Sequence, residues 1–291
     1  MASLKEIKNR ITSVKSIWKI TSAMKMVAAA KLRKAQVAIE SMLPYQTKLS
    51  GMMSRFLDAD VPFESPYLVS RPVKRVAIVA FSSNSSLCGA FNTNIIRQLV
   101  QVVNKYKNLG AEDIQIYPVG RKIEEAVKKL GYKKLGSYQS IANKPSYEAA
   151  CQLASKLMDD FVANEIDKVE LIYYHFKSSG VQTLVREPFL PIDLNQMAVK
   201  NEDVKDGIIK DYIVESSVQE LMTALIPKVL YFKLYTVSLD SHASEHAARV
   251  IAMQTATENA DELCQDLTIQ YNKSRQQAIT NELLDIIGGS M

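Results

Sequence analysis

Glycine, cysteine and histidine are scarce in this chain, and each scarcity removes a class of function. Of 291 residues only three are cysteine: Cys88, Cys151 and Cys264, all far apart. That spacing suits neither a disulfide framework nor a zinc site, and it fits reduced thiols in a cytosol. Three histidines leave little for acid–base or metal chemistry. His175 falls inside a strand pattern, while His242 and His246 sit i, i+4 on a predicted helix, a spacing that can bind metal. "HASEH" lacks the H-E-x-x-H order and no third ligand stands near, so a surface or coiled-coil pair is the expectation. Glycines are equally sparse where they would matter. The loop "FSSNSSLCGAFN" (81–92) follows a strand and precedes a helix, but it holds only Gly89 and no P-loop lysine. It reads as a helix-capping loop with Cys88 as a small buried thiol. No catalytic residue, cofactor site or metal site emerges. No apolar run approaches the roughly eighteen residues of a membrane span. The opening "MASLKEIKNR" has no apolar signal-peptide core, so secretion is not indicated.

What is present is charge asymmetry and a long repeat. Residues 1–57 hold eleven Lys or Arg against Glu6 and Glu40, whereas residues 238–291 hold three against eight acids. Ends of opposite charge would attract each other if they met. The same first segment carries apolar residues every seven positions. One series is Leu4, Ile11, Trp18, Lys25, Leu32, Ile39, Gln46, Met53, and the other is Ile7, Val14, Thr21, Ala28, Ala35, Met42, Leu49, Phe56. Thirteen of these sixteen are apolar, which predicts a coiled-coil helix, kinked at Pro44. At about 1.5 Å per residue it would be roughly 80 Å long.

The character then changes. "DADVPFESPYLVSRPV" (58–73) has three prolines and no helical period, and reads as a linker. Strands are expected at 74–81, 113–119, 168–176 and 181–189, the last two joined as a hairpin through Ser178–Gly180. Helices are expected at 92–106, 121–130 and 146–164. The alternation predicts an α/β domain with a mostly parallel sheet. The helical period returns near Lys210, with a kink or break at Pro227 and a weaker heptad grid after Leu239. Val250, Met253, Ala260, Cys264, Leu267, Tyr271 and Ala278 keep the grid apolar, but His246, Thr257, Ser274, Asn281 and Asp285 do not. The fold class is therefore α/β: a long antiparallel coiled coil of the terminal helices with an inserted, Rossmann-like α/β domain. The expected boundaries are 1–57 for the first helix, 58–73 linker, 74–207 α/β domain and 208–291 last helix.

Between Ile7 and Ile39 stand eight Lys or Arg and no acid, a footprint that would attract phosphates. No nucleic-acid motif accompanies it, and Trp18 is better placed on the heptad than as a base-stacking surface. A basic coiled-coil scaffold for nucleic acid or acidic partners stays open as an alternative. So does an α/β enzyme with helical oligomerisation arms.

Three stretches carry a family resemblance: "IKNRITSVKSIWKITSAMKMVAAAKLRKAQ" (7–36), "SLCGAFN" (86–92) and "SEHAARVIAMQTATENADELCQDLTIQYNKSRQQAITNELLDIIGG" (244–289). They resemble the gamma-subunit family of ATP synthases, end to end and in the same order. The resemblance implies the shaft of a rotary motor, turning inside a ring of alpha and beta subunits, three of each. Its base would rest on the membrane ring of c subunits, with an epsilon subunit as a further partner. It implies torque transmission without bond chemistry, cofactor, nucleic acid or membrane span, in a complex peripheral to the cytoplasmic face of a bacterial inner membrane. The absence of a transit peptide points to the bacterial type. Position by position, Met24, Lys25, Arg249, Arg275, Gln276, Thr280 and Glu282 match residues that face the alpha/beta ring. "KDYIVES" (210–216) resembles the foot segment, which assigns Asp211, Tyr212 and Glu215 to the rotor ring. The chain departs from its relatives at Asn84-Ser85-Ser86, where Asp-Arg-Gly is common, and at Ser216, where many carry proline.

Overall fold

The computed structural model describes residues 4–58, 64–192 and 217–289. In chain order it contains α1 (Leu4–Asp58), β1 (Val76–Phe81), α2 (Phe91–Lys105), β2 (Ile114–Val119), α3 (Arg121–Leu130) and β3 (Lys133–Lys134). These are followed by α4 (Gln139–Asn143), α5 (Tyr147–Val162), β4 (Lys168–Ser178), β5 (Val181–Leu190) and α6 (Val218–Gly288). The helix α1 passes through Pro44 and α6 through Pro227 without ending. A break at Pro227 is thus not observed. A proline removes one intrahelical bond, and helices this long, with apolar residues on one side, tolerate that loss. At the far end the Gly289 amide donates to the Asp285 carbonyl as α6 stops.

The chain divides into two compact units: Met1–Ala30 with Arg249–Met291, and Lys31–Ala248. The larger unit is built on a five-stranded sheet of order β3-β2-β1-β4-β5, parallel except for the antiparallel β4–β5 hairpin. Every residue of β1 and β2 is buried, as expected for parallel strands covered on both faces. The period of two along β1 sorts its side chains cleanly. Ala77, Val79 and Phe81 join Leu153, Leu157, Phe161 and, from α6, Met222, Ile226 and Leu230 on one face. Val76, Ile78 and Ala80 join Ile95, Leu99, Val102 and Val127 of α2 and α3 on the other.

Local chemistry explains the turns. Ser146 caps α5 by accepting from the Ala149 amide. Gly120, between β2 and α3, has φ +105°, and a Cβ there would sit 2.3 Å from the Ser82 carbonyl oxygen, so only glycine fits. Asp167 at the start of β4 accepts from the Lys74 and Arg75 amides at 2.9 and 2.8 Å. Arg71 lies beside it, Nε to Oδ1 3.0 Å, and also donates to the Ile166 carbonyl. These bonds hem the incoming chain against the loop between α5 and β4.

Two elements were absent from the sequence reading, β3 and α4. Both are held through Glu124 of α3. Its buried carboxylate accepts from Lys134 Nζ at 2.6 Å, Ser137 Oγ at 2.8 Å and Gln139 Nε2 at 2.9 Å. Lys134 and then Gln139 hold the carboxyl at a pKa of about 2, against the opposing effect of burial. A depressed carboxylate stabilises the fold above its ordinary value of 4.5, and the contribution is lost as pH falls toward 2. Glu124→Gln is therefore expected to lower unfolding free energy by about 2 kcal/mol at neutral pH. It should also flatten the loss of stability between pH 4.5 and 2. Denaturant titrations across that range check both.

Candidate functional site

The smaller unit is a two-helix arrangement, and the residues assigned to the alpha/beta ring all lie on it. Its seam is the predicted heptad. Ile7, Val14, Ala260 and Leu267 are buried together, with Ile11, Cys264 and Tyr271 half-buried against them. Further along, the hydroxyls of Thr21 and Thr257 meet at 2.8 Å, and Lys25 Nζ donates to Gln254 Oε1 at 2.8 Å. Rising numbers on α1 meet falling numbers on α6, so the pair is antiparallel. Gln254 is oriented for Lys25 because its amide nitrogen donates to Glu258 one turn on. Thr257 is one of the residues that broke the apolar grid, and its partner across the seam is the polar Thr21. Trp18 departs from the heptad expectation, being 40% exposed. A straight helix repeats every 3.6 residues, so one series of a seven-residue pattern drifts to the edge of the contact.

The assigned residues divide by burial. Arg249 is 7% exposed, while Met24 and Lys25 are half-buried, Lys25 at the seam. Arg275, Gln276, Thr280 and Glu282 are exposed on the last turns of α6, where Thr280 Oγ1 donates back to the Gln276 carbonyl at 2.9 Å. Asp211, Tyr212 and Glu215, assigned to the rotor ring, lie outside the described residues. Sequence reasoning passed over a set of exposed apolar residues: Ile17, Ile20, Met26 and Val27 on α1, and Ile279, Leu283, Leu284, Ile286 and Ile287 on α6. Their signal was available, since they are large apolar residues off the heptad grid. Exposed aliphatic residues in such number are candidates for contact with another protein.

In the larger unit, the features first weighed for chemistry have structural partners. Cys88 is buried, 3.1 Å from Asn92 Nδ2. The loop 82–90 does not cap α2 with a side chain. Instead Asn92, on α2 itself, closes the loop by accepting from the Ser83 amide at 3.1 Å and donating to Ser83 Oγ at 2.8 Å. Asn84, one of the positions where relatives differ, accepts from the Arg121 amide and donates to the Gln139 carbonyl. His242 and His246 stack edge to face with Nε2 atoms 3.2 Å apart. Among the described residues no group of three His, Cys, Asp or Glu is placed to hold a metal ion.

The sheet order places its switch point between β1 and β4, where α/β proteins bind ligands beyond the strand ends. Here α6 crosses the strand ends, with Ser244 Oγ donating to the Tyr174 carbonyl of β4 beyond its last pair with β1. Phe81, Ser82 and Val119, at the ends of β1 and β2, face Ser238, Ser241, His242 and Glu245 around a cavity of only about 10 Å³. That is below the roughly 300 Å³ at which small-molecule pockets begin.

The comparisons with known proteins agree from end to end. A family model described as ATP synthase matches residues 3–291. The chain is 64% identical to the ATP synthase gamma chain of Bacteroides fragilis over 291 residues, covering all of both chains. It is 61% identical to the gamma chain of Bacteroides thetaiotaomicron, again over the whole of each. The chain belongs to the ATP synthase gamma family. Its fold also matches a chain in the cryo-EM structure of the Euglena gracilis mitochondrial ATP synthase, OSCP/F1/c-ring in rotational state 3. The TM-score is 0.65 at 22% identity, covering 98% of this chain and 92% of that one. These gamma-family relatives do not support the nucleic-acid scaffold reading.

Burial separates two neighbouring alanines of the gamma-family motif "KMVAAAK". Ala28 is 2% exposed on the seam series, and Ala29 is exposed. Ala28→Phe should overpack the seam and destabilise by about 1–3 kcal/mol. Ala29→Phe should change stability by less than about 0.5 kcal/mol. Thermal unfolding of the two variants side by side checks the contrast.

Proposed function

We infer that this chain is the central shaft of an ATP synthase, a non-catalytic subunit that carries torque between an ion-driven membrane ring and a catalytic ring. The observation that carries this reading is the family match over residues 3–291, together with the two long helices that end the chain. The exposed surface suits a shaft that turns within a sleeve. Ala, Met and aliphatic side chains give close approach without directional bonds, and Met adapts to changing neighbours. The lysines and arginines of α1 attract acidic loops without fixing a register, because exposed ion pairs are individually weak.

In this reading the partners are three alpha and three beta subunits, an epsilon subunit and the ring of c subunits. Met24, Lys25, Arg249, Arg275, Gln276, Thr280 and Glu282 serve the alpha/beta ring, and Asp211, Tyr212 and Glu215 serve the rotor ring. The exposed apolar residues of α1 and α6 extend the first set. Half-buried Met24 and Lys25 and buried Arg249 act by shaping the helix pair that the ring grips. The working boundaries are 1–57, 58–73, 74–207 and 208–291. Among the described residues no helix is long and apolar enough to cross a membrane. Attachment on the cytoplasmic face of the inner membrane would therefore run through the c ring.

The deciding measurement is the native mass of the complex that carries this chain, purified gently from membranes. One copy with three copies each of two nucleotide-binding subunits supports the shaft. A homodimer, or a complex with nucleic acid, sinks it. Within the assembled complex, bulky residues at Ala29 and Ala30 should impair coupled ATPase turnover while leaving the chain folded. Full coupling in such a variant would rule out a close sleeve at that level.

A further inference from the structure

The register of the sheet leaves part of the β4–β5 hairpin standing beyond it. β1 pairs with β4 through Ala80 and Ile172, so Tyr173–Ser178 run past the end of β1 and pair with β5 alone in the sheet. This overhang meets α6 inside the larger unit. Ser244 Oγ donates to the Tyr174 carbonyl at 3.2 Å. Asp240 Oδ2 lies 2.7 Å from His175 Nδ1. Outside the overhang, where β4 is still paired with β1, Lys233 Nζ donates to the Pro188 carbonyl of β5 at 3.0 Å and lies 3.7 Å from Glu187, whose carboxylate also accepts from the Tyr173 hydroxyl.

The three α6 residues are spaced by seven and four. At about 100° per residue they fall within roughly 40° of one another, in a row about 16 Å long. Asp240 and Ser244 are buried, so water competes poorly for their bonds. The hairpin end is itself anchored, since Tyr174 stacks on Phe91 with ring centroids 4.9 Å apart and accepts from Asn94 Nδ2 at 3.0 Å. Beside the row, Phe176 packs on Leu32, Ala35, Ala243 and Ala247. That apolar contact resists separation but is non-directional, and small alanines offer little hindrance to sliding. Hydrogen bonds fix an angle.

We propose that Lys233, Asp240 and Ser244 form a rotational lock, gripping α6 by one face so that torque applied to the sheet turns the helix instead of slipping around it. These are positioning residues, and the proposal rests on the shaft reading above. Of the torque path, it assigns the step between the α/β body and the helix to this row.

The test uses the complete complex with the catalytic ring stalled and an optical probe attached at Val181, an exposed residue at the hairpin turn. The readout is the angular variance of the probe. Asp240→Ala with Ser244→Ala should raise that variance about two- to threefold, because two of the three residues in the row lose their directional bonds. His175→Ala, which removes one link from the sheet side at a half-exposed position, should raise it in the same direction and guards against misfolding of the double variant. Asp240→Asn retains an acceptor for His175 and should stay near wild type. Glu124→Gln weakens the same body away from the row and should leave the variance unchanged. A chain present at normal level with unaltered variance in both row variants overturns the lock. An equal rise in Glu124→Gln also overturns it, by showing general softening. A wild-type chain that does not assemble into such a complex overturns the shaft reading and the lock with it.

Discussion

Two long helices stay paired in water only if one stripe of each is covered, and the composition of that stripe decides everything exposed around it. In the smaller unit the stripe is narrow: Ile7, Val14, Ala260 and Leu267, with threonines where the helices meet at Thr21 and Thr257. A two-helix seam buries far less per residue than a domain core, so the remaining circumference cannot be hidden intramolecularly. Ile20, Met26, Val27 and Ile286 consequently face outward, between 59 and 68% exposed. In an ordinary surface helix such positions would be charged. Their apolar character suits the proposed enclosure by other chains.

The α/β body solves a different problem. Its parallel strands are buried on both faces, so it needs helices on each side, and α6 supplies part of one layer through Met222, Ile226, Leu230 and Leu234. The same helix then crosses the switch point with Ser238, Ser241 and Glu245. The position that gives many α/β proteins a ligand site is used here to seat a helix. A fold associated with nucleotide chemistry can serve as a handle for that reason, and function has to be argued from what occupies the site.

Periodicity made much of this legible. The heptad located α1 and its buried positions, and strand-type runs located β1, β2, β4 and β5 to within about two residues. Failures occur where a residue's partner is distant in the chain. The grid on α6 looked weaker in part because Thr257 is polar, yet it is buried against Thr21. Off that grid, Asp240 and Ser244 are likewise buried, against His175 and the Tyr174 carbonyl. β3 and α4 depend on Glu124, which in sequence is one more acid on an amphipathic helix. Asn92 closes the loop before α2 from within that helix, where a capping residue would be sought outside it. For the exposed apolar residues the obstacle was different. A heptad explains what it buries and offers no account of apolar residues left off the grid.

The two units therefore hold α6 differently. Where α1 and α6 form the smaller unit, contact is mostly apolar, and Lys25 meets a neutral amide rather than a carboxylate. In the larger unit, ionic and hydrogen-bonded links to β4 and β5 are added to the apolar packing of Met222, Ile226 and Leu230, with burial raising the Asp240 carboxyl above its usual range and His175 drawing it back. Burial of an acid is costly unless it is partnered, so a fold needing only adhesion would do as well with a leucine there. What a partnered acid adds over a leucine is direction. A rotating part needs both properties in one chain, freedom of angle against its sleeve and none against its base.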